Sequence, residues 1–209
     1  MQYAFLLQHP ATLSKHLRIA LSIASRKSLP SHPVVFALLW LDTSSENALY
    51  AALKDAGLKP RSLLNRFHLT VYHARRTIPT LEPTRREVDF LCNIAETRMM
   101  ALAPGGENPR PRLTPNQHSL ALRLTRRNHA VQHIQTLRSE LTQMETRSVL
   151  GARPPSSKSR NAFGARNFQP HIKICRANNG APQDLSIVGN HIRSMVDSLR
   201  FAIYEVVIR

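Results

Sequence analysis

The sequence predicts an α+β fold built from two similar halves. Short apolar or alternating runs read as strands, and capped amphipathic runs read as helices. Over residues 34–209 they follow the order strand–helix–strand–helix–strand, twice over. Each half also holds one strand with a His and a polar residue two places apart. These are Phe67-His68-Leu69-Thr70-Val71 and Pro170-His171-Ile172-Lys173-Ile174. A 42% apolar fraction in 209 residues is enough for one large domain or two small lobes with a real core.

Residues 1–33 read as a basic helical N-terminal extension, with Leu13, Leu17, Ala20, Leu21 and Ala24 on one helical face. The first 41 residues contain no Asp or Glu. Such a start fits an accessory helix packed on the domain, or an organellar transit peptide. Residues 34–42 are an apolar run ending in Asp42, hence a strand. Thr43-Ser44-Ser45-Glu46 has the capping-box spacing and opens a helix to about Ala56, with Gly57 as its stop. Residues 66–73 alternate and form the strand of the first motif. Thr84-Arg85-Arg86-Glu87 repeats the capping-box spacing and predicts a helix with Val88, Leu91, Ile94 and Ala95 inward.

Residues 98–103 form a short strand, and Gly105, Gly106, Pro109, Pro111 and Pro115 mark a loop. Residues 118–125 alternate, with Leu120, Leu122 and Leu124 on one side and Ala121 and Arg123 on the other. A helix over 128–144 turns Val131, Ile134, Leu137 and Leu141 inward. Residues 146–167 are a basic loop containing Arg153, Lys158, Arg160 and Arg166. The strand of the second motif (169–176), a helix over 185–199 and a last strand over 201–208 complete the chain.

Lys and Arg number 29 against 13 acids, a net charge of +16 and a pI near 11.3. This excess attracts polyanions and makes nucleic acid the leading partner class, ahead of an anionic membrane surface. No apolar run reaches the roughly 18 to 20 residues of a spanning helix. Cys92 and Cys175, with no paired framework, argue against a disulfide scaffold, and no His stands beside them at zinc-ligand spacing.

In a strand, residues i and i+2 share a face. His68 and Thr70 therefore point one way and Leu69 and Val71 the other. His171 and Lys173 separate from Ile172 and Ile174 in the same manner. Two imidazoles and two phosphate-binding groups suit acid–base chemistry on a phosphodiester, since His titrates near 6.5. By the same alternation Tyr72 is expected on the face of His68 and Thr70, where it could stack on a base. Arg176 is a candidate for a neighbouring phosphate. Structural histidines are the plain alternative, since the chain holds ten His.

His68-Leu69-Thr70 and Phe168-Gln169-Pro170-His171-Ile172 together resemble the two motifs of the 2H phosphoesterases, the superfamily of 2′,3′-cyclic phosphodiesterases and 2′-5′ RNA ligase-like proteins. The resemblance spans roughly residues 34–209. It implies a two-lobed, pseudo-symmetric fold with antiparallel sheets lining a central cleft and helices outside. It further implies a metal-independent phosphodiesterase, without cofactor, acting on 2′,3′-cyclic, 2′-5′ or cyclic-oligonucleotide linkages of RNA ends or small nucleotides. His68 and His171 would be the acid–base pair, Thr70 and Lys173 the groups that hold the phosphate, and Tyr72, Arg176 and Phe168 substrate contacts. Lys173 stands where the family usually has Thr or Ser. That departure could change which His is the acid, alter substrate choice or weaken catalysis. The alternative function is a weak or inactive RNA-binding protein on the same fold. A monomer is expected, in the cytoplasm or, by the acid-poor start, in mitochondria.

Overall fold

The computed structural model describes residues 34–78, 80–102, 115–150 (backbone alone from 146) and 168–209. The expected N-terminal extension, residues 1–33, lies outside them. The elements are β1 (Val35–Leu41), α1 (Thr43–Asp55), β2 (Leu63–Ala74), β3 (Thr84–Asn93) and β4 (Thr97–Leu102). Then come β5 (Ser119–Leu124), α2 (Ala130–Leu150), β6 (His171–Cys175), α3 (Leu185–Met195) and β7 (Ser198–Ile208). The fold is α+β. All the described strands join one antiparallel sheet in the order β3-β7-β1-β2-β6-β5-β4.

The core lies on one face of this sheet. Val35, Ala37, Leu39 and Leu41 of β1, Leu69 and Val71 of β2, Ile172 and Ile174 of β6 and Leu120, Leu122 and Leu124 of β5 are buried. They pack with Leu49, Ala52 and Leu53 of α1, Val131, Ile134, Leu137 and Leu141 of α2, and Val188 and Ile192 of α3. The alternating neighbours Leu38, Trp40, His68, Thr70, His171 and Lys173 are only half-buried on the other face.

Several sequence expectations change. Residues 84–93 form strand β3 along β7, not a helix. Val88 and Phe90 are half-buried and Cys92 is buried, a period of two that the capping-box spacing masks. Phe90 stacks on His133 of α2, with ring centroids 4.9 Å apart, and meets Phe201 of β7 at 5.2 Å. Sheet pairing and aromatic contact override the local helical signal. The first half therefore lacks its second helix.

Helix α2 runs through Leu150, so the basic segment starts later than 146, and residues 151–167 lie outside the described part. Helix α3 ends at Met195 rather than 199, and the last strand starts at Ser198. The cap of α1 is Asp42, whose carboxylate accepts from Ser45 N–H at 2.6 Å, rather than Thr43. Gly57 does stop the helix, at φ +85. Leu58 N–H donates to Leu53 O and Gly57 N–H to Lys54 O, which is a Schellman cap.

Two β-α-β units carry the His motifs: β1-α1-β2 and β5-α2-β6. Their second strands lie side by side and antiparallel in the middle of the sheet. The pairing sets Leu69 against Ile172 and His68 against Lys173. A local two-fold through the Leu69–Ile172 pair carries His68 onto His171 and Thr70 onto Lys173. The outer pairings obey the same operation: Trp40 lies opposite His68 as Arg123 lies opposite His171, and Leu38 opposite Thr70 as Ala121 opposite Lys173.

Candidate active site

Because β2 and β6 are hydrogen-bonded neighbours, the two motifs form one patch. His68 faces Lys173 directly. Continuing the register by one residue brings Thr70 across from His171. His68 and His171 are thus diagonal neighbours, a relation that places Cα atoms about 7–8 Å apart. The described face shows two rows across β1, β2, β6 and β5. One runs Trp40, His68, Lys173, Ala121, and the other Leu38, Thr70, His171, Arg123.

The two imidazoles have different surroundings. His171 holds its Nδ1 against the Gln169 carbonyl at 2.8 Å. A carbonyl only accepts, so Nδ1 carries the proton and Nε2 is left for chemistry. His68 Nδ1 is buried and has no hydrogen-bond partner among the described residues. Its ring lies 4.8 Å from the Trp40 indole at 54°. Both pKa values are held below the usual histidine range. For His68 the main cause is burial, followed by the charges of Lys173, His171 and Arg66. For His171 burial again leads, with Lys173 and Arg123 adding to it, while the Gln169 hydrogen bond acts the other way.

Helix α1 steadies the first motif. Glu46 accepts from the Phe67 amide at 3.0 Å, one residue before His68, and meets Arg66 Nε at 3.5 Å. The Arg66 guanidinium sits 4.6 Å over the Trp40 ring, and Trp40 Nε1 donates to Glu205 at 2.8 Å.

Tyr72 is not on this face, contrary to the alternation of the sequence. The β1–β2 register slips, so that Leu38 pairs with Thr70 but Ala37 pairs with Tyr72. The extra residue is Val71, a bulge that turns Tyr72 to the core side. Tyr72 is fully buried and donates to Glu145 at 2.6 Å. Burial and the carboxylate together push its phenol far above the usual range. Phe168 is half-buried beside it: Arg138 lies 4.1 Å over the Phe168 ring and 5.7 Å from that of Tyr72, and donates to Val71 O at 2.7 Å. Tyr72 and Phe168 thus belong to a cluster that braces both motif strands. Arg176 is exposed, its amide tied to Ser62 O at 2.8 Å. It lies five residues beyond His171, about 16 Å along extended chain, and is not gathered with the four motif residues.

Trp40 and Arg123 flank the histidines yet escaped the sequence reading. For Arg123 the signal was present, the outward position of an alternating strand; for Trp40 it was hidden, because residues 34–41 read as an unbroken apolar run. What was missing was the pairing that puts those strands beside the motifs. A depression at the β3–β7 end, lined by Asp42, Arg85, Glu87, Asp89 and Arg200, contains none of the motif residues. Among the described residues no cluster of three or more His, Cys, Asp or Glu is placed to hold a metal, and no helix is long and apolar enough to cross a membrane. No family model and no curated protein matches the chain.

Proposed function

We propose that this chain is a phosphodiesterase of the 2H type, hydrolysing 2′,3′-cyclic or 2′-5′ linkages at RNA ends or in small nucleotides without a metal. One observation carries the reading: a local two-fold brings two His motifs from distant parts of the chain onto adjacent strands, with His68 facing Lys173. The paired β-α-β units are what a two-lobed 2H architecture would require, here joined through one sheet. The charge of +16 favours a polyanionic substrate.

In the reaction His68 is the base and His171 the acid. An imidazolium at His68 would face the Lys173 ammonium across the strand pair, with the Arg66 charge adding to the repulsion. The Gln169 carbonyl supports the charged form of His171 instead. Neutral His68 takes a proton from water as the water oxygen attacks phosphorus. The bond from phosphorus to the leaving ribose oxygen breaks, and that oxygen takes the His171 proton. Thr70 and Lys173 donate to the non-bridging oxygens as charge builds on them.

His68→Ala and His171→Ala should each lower hydrolysis of a 2′,3′-cyclic dinucleotide by about 100- to 10,000-fold, measured in chelator. Circular dichroism should be unchanged. Full activity in either variant refutes the assignment. A second reading, RNA binding without turnover, draws on the Lys173 ammonium, which replaces a small hydroxyl and disfavours charge on both imidazoles. Tight RNA binding by a wild-type protein that turns over none of the cyclic or 2′-5′ substrates would select it.

A further inference from the structure

The row that holds Thr70 and His171 does not stop at the motif. Arg123 of β5 lies opposite His171, and Arg98 of β4 lies opposite Arg123. Both arginines are exposed. Like charges set directly across a strand pair destabilise a sheet. Arginines at the far end of the sheet lie opposite no cation and each meets a carboxylate: Arg85 meets Glu205 at 3.6 Å, Arg86 meets Glu140 at 3.8 Å and Arg200 meets Asp89 at 2.8 Å. Arg98 and Arg123 have no such partner among the described residues. Two forked guanidinium groups with no acid between them suit a phosphate, which each can grip through two N–H donors.

The two-fold partner of Arg123 shows that this feature is one-sided. On the β1 side of the patch the equivalent position is Trp40, whose indole donates to the Glu205 carboxylate. That carboxylate also meets Arg85 at 3.6 Å, and Arg66, over the indole, meets Glu46 at 3.5 Å. The cations on the β1 side are thus each met by a carboxylate, whereas Arg123 and Arg98 on the β5 side meet none among the described residues. Strands lie about 4.8 Å apart, so Arg123 and Arg98 stand about 5 and 10 Å beyond His171 along the row.

We infer that Arg98 and Arg123 form a second phosphate subsite, which takes the phosphate next to the reacting one in an oligonucleotide chain. The assignment of the reacting phosphate to His68 and His171 rests on the proposed function; the anion subsite itself does not. The substrate class is then an RNA end or linear oligonucleotide rather than a lone mononucleotide. The chain crosses the sheet in one direction, its phosphates running toward β4.

Binding of two stable ligands to the full chain tests this: a 3′-mononucleotide and a dinucleotide ending in a 3′-phosphate, by calorimetry at fixed low salt. The wild type should bind the dinucleotide at least about tenfold more tightly, the effect of one charge-assisted contact. Arg98→Gln/Arg123→Gln should collapse that ratio to near one, whereas Arg200→Gln, which removes a cation at the other end, should preserve it. A ratio that survives the double substitution, equal weakening of both ligands, or no dinucleotide preference in the wild type overturns the inference. Hydrolysis by His68→Ala and His171→Ala is a separate readout: it can refute the phosphodiesterase while the binding ratio stands.

Discussion

Burial lowers the pKa of His68, and Lys173, His171 and Arg66 press the same way; His171 is lowered too, against the pull of Gln169. Both groups therefore titrate below 6.5 in the free protein. With His68 as base and His171 as acid, activity needs the first neutral and the second charged. The kcat/KM profile should be a bell with its maximum on the acid side of pH 6.5, checked with a 2′,3′-cyclic dinucleotide across pH 4.5–8. The same shifts govern stability. An unfolded imidazole binds its proton near 6.5, more readily than either folded one, so stability is full above that pH and falls as pH drops from 6.5 toward the folded values. His68→Gln should flatten this decline. Urea titrations at pH 7.5 and 5.0 measure it, and an unchanged pH dependence would refute the burial argument. Asp89 and Asp184 are also lowered, but they are exposed and titrate below this window.

At the scale of elements, the stop of α1 is a Schellman cap with Gly57 at φ +85 and open space where a Cβ would go. Gly57→Ala should thus cost only the left-handed backbone penalty, about 1–2 kcal/mol, seen as a lower thermal midpoint with unchanged secondary structure. The glycine stop was legible in the sequence, as were the alternating faces of β2 up to Val71, of β5 and of β6, because each depends on residues close along the chain. Two local readings failed for a physical reason. The capping-box spacing at Thr84–Glu87 predicted a helix where pairing with β7 makes a strand, and a one-residue bulge at Val71 reversed Tyr72. In both, a distant partner decided between local alternatives of similar energy.

For the whole molecule, the pairing of β2 with β6 joins residues more than a hundred positions apart, and no local period encodes it. The two motifs could be read singly, but their diagonal arrangement, and the places of Trp40 and Arg123 beside them, come from that pairing. The net charge was readable at once. Its effect belongs to the complete surface: affinity for single-stranded RNA should fall with salt on a log–log slope of about −0.7 per phosphate held, measured by fluorescence anisotropy, and a flat response would remove nucleic acid as the partner. The central strand pairing has one further outcome. The imidazoles ride on two strands laced by backbone hydrogen bonds, so the gap between them cannot open and shut like a jaw without tearing the sheet. If the proposed activity holds, it has a fixed gauge, and selection would fall on whichever phosphodiesters already match its width.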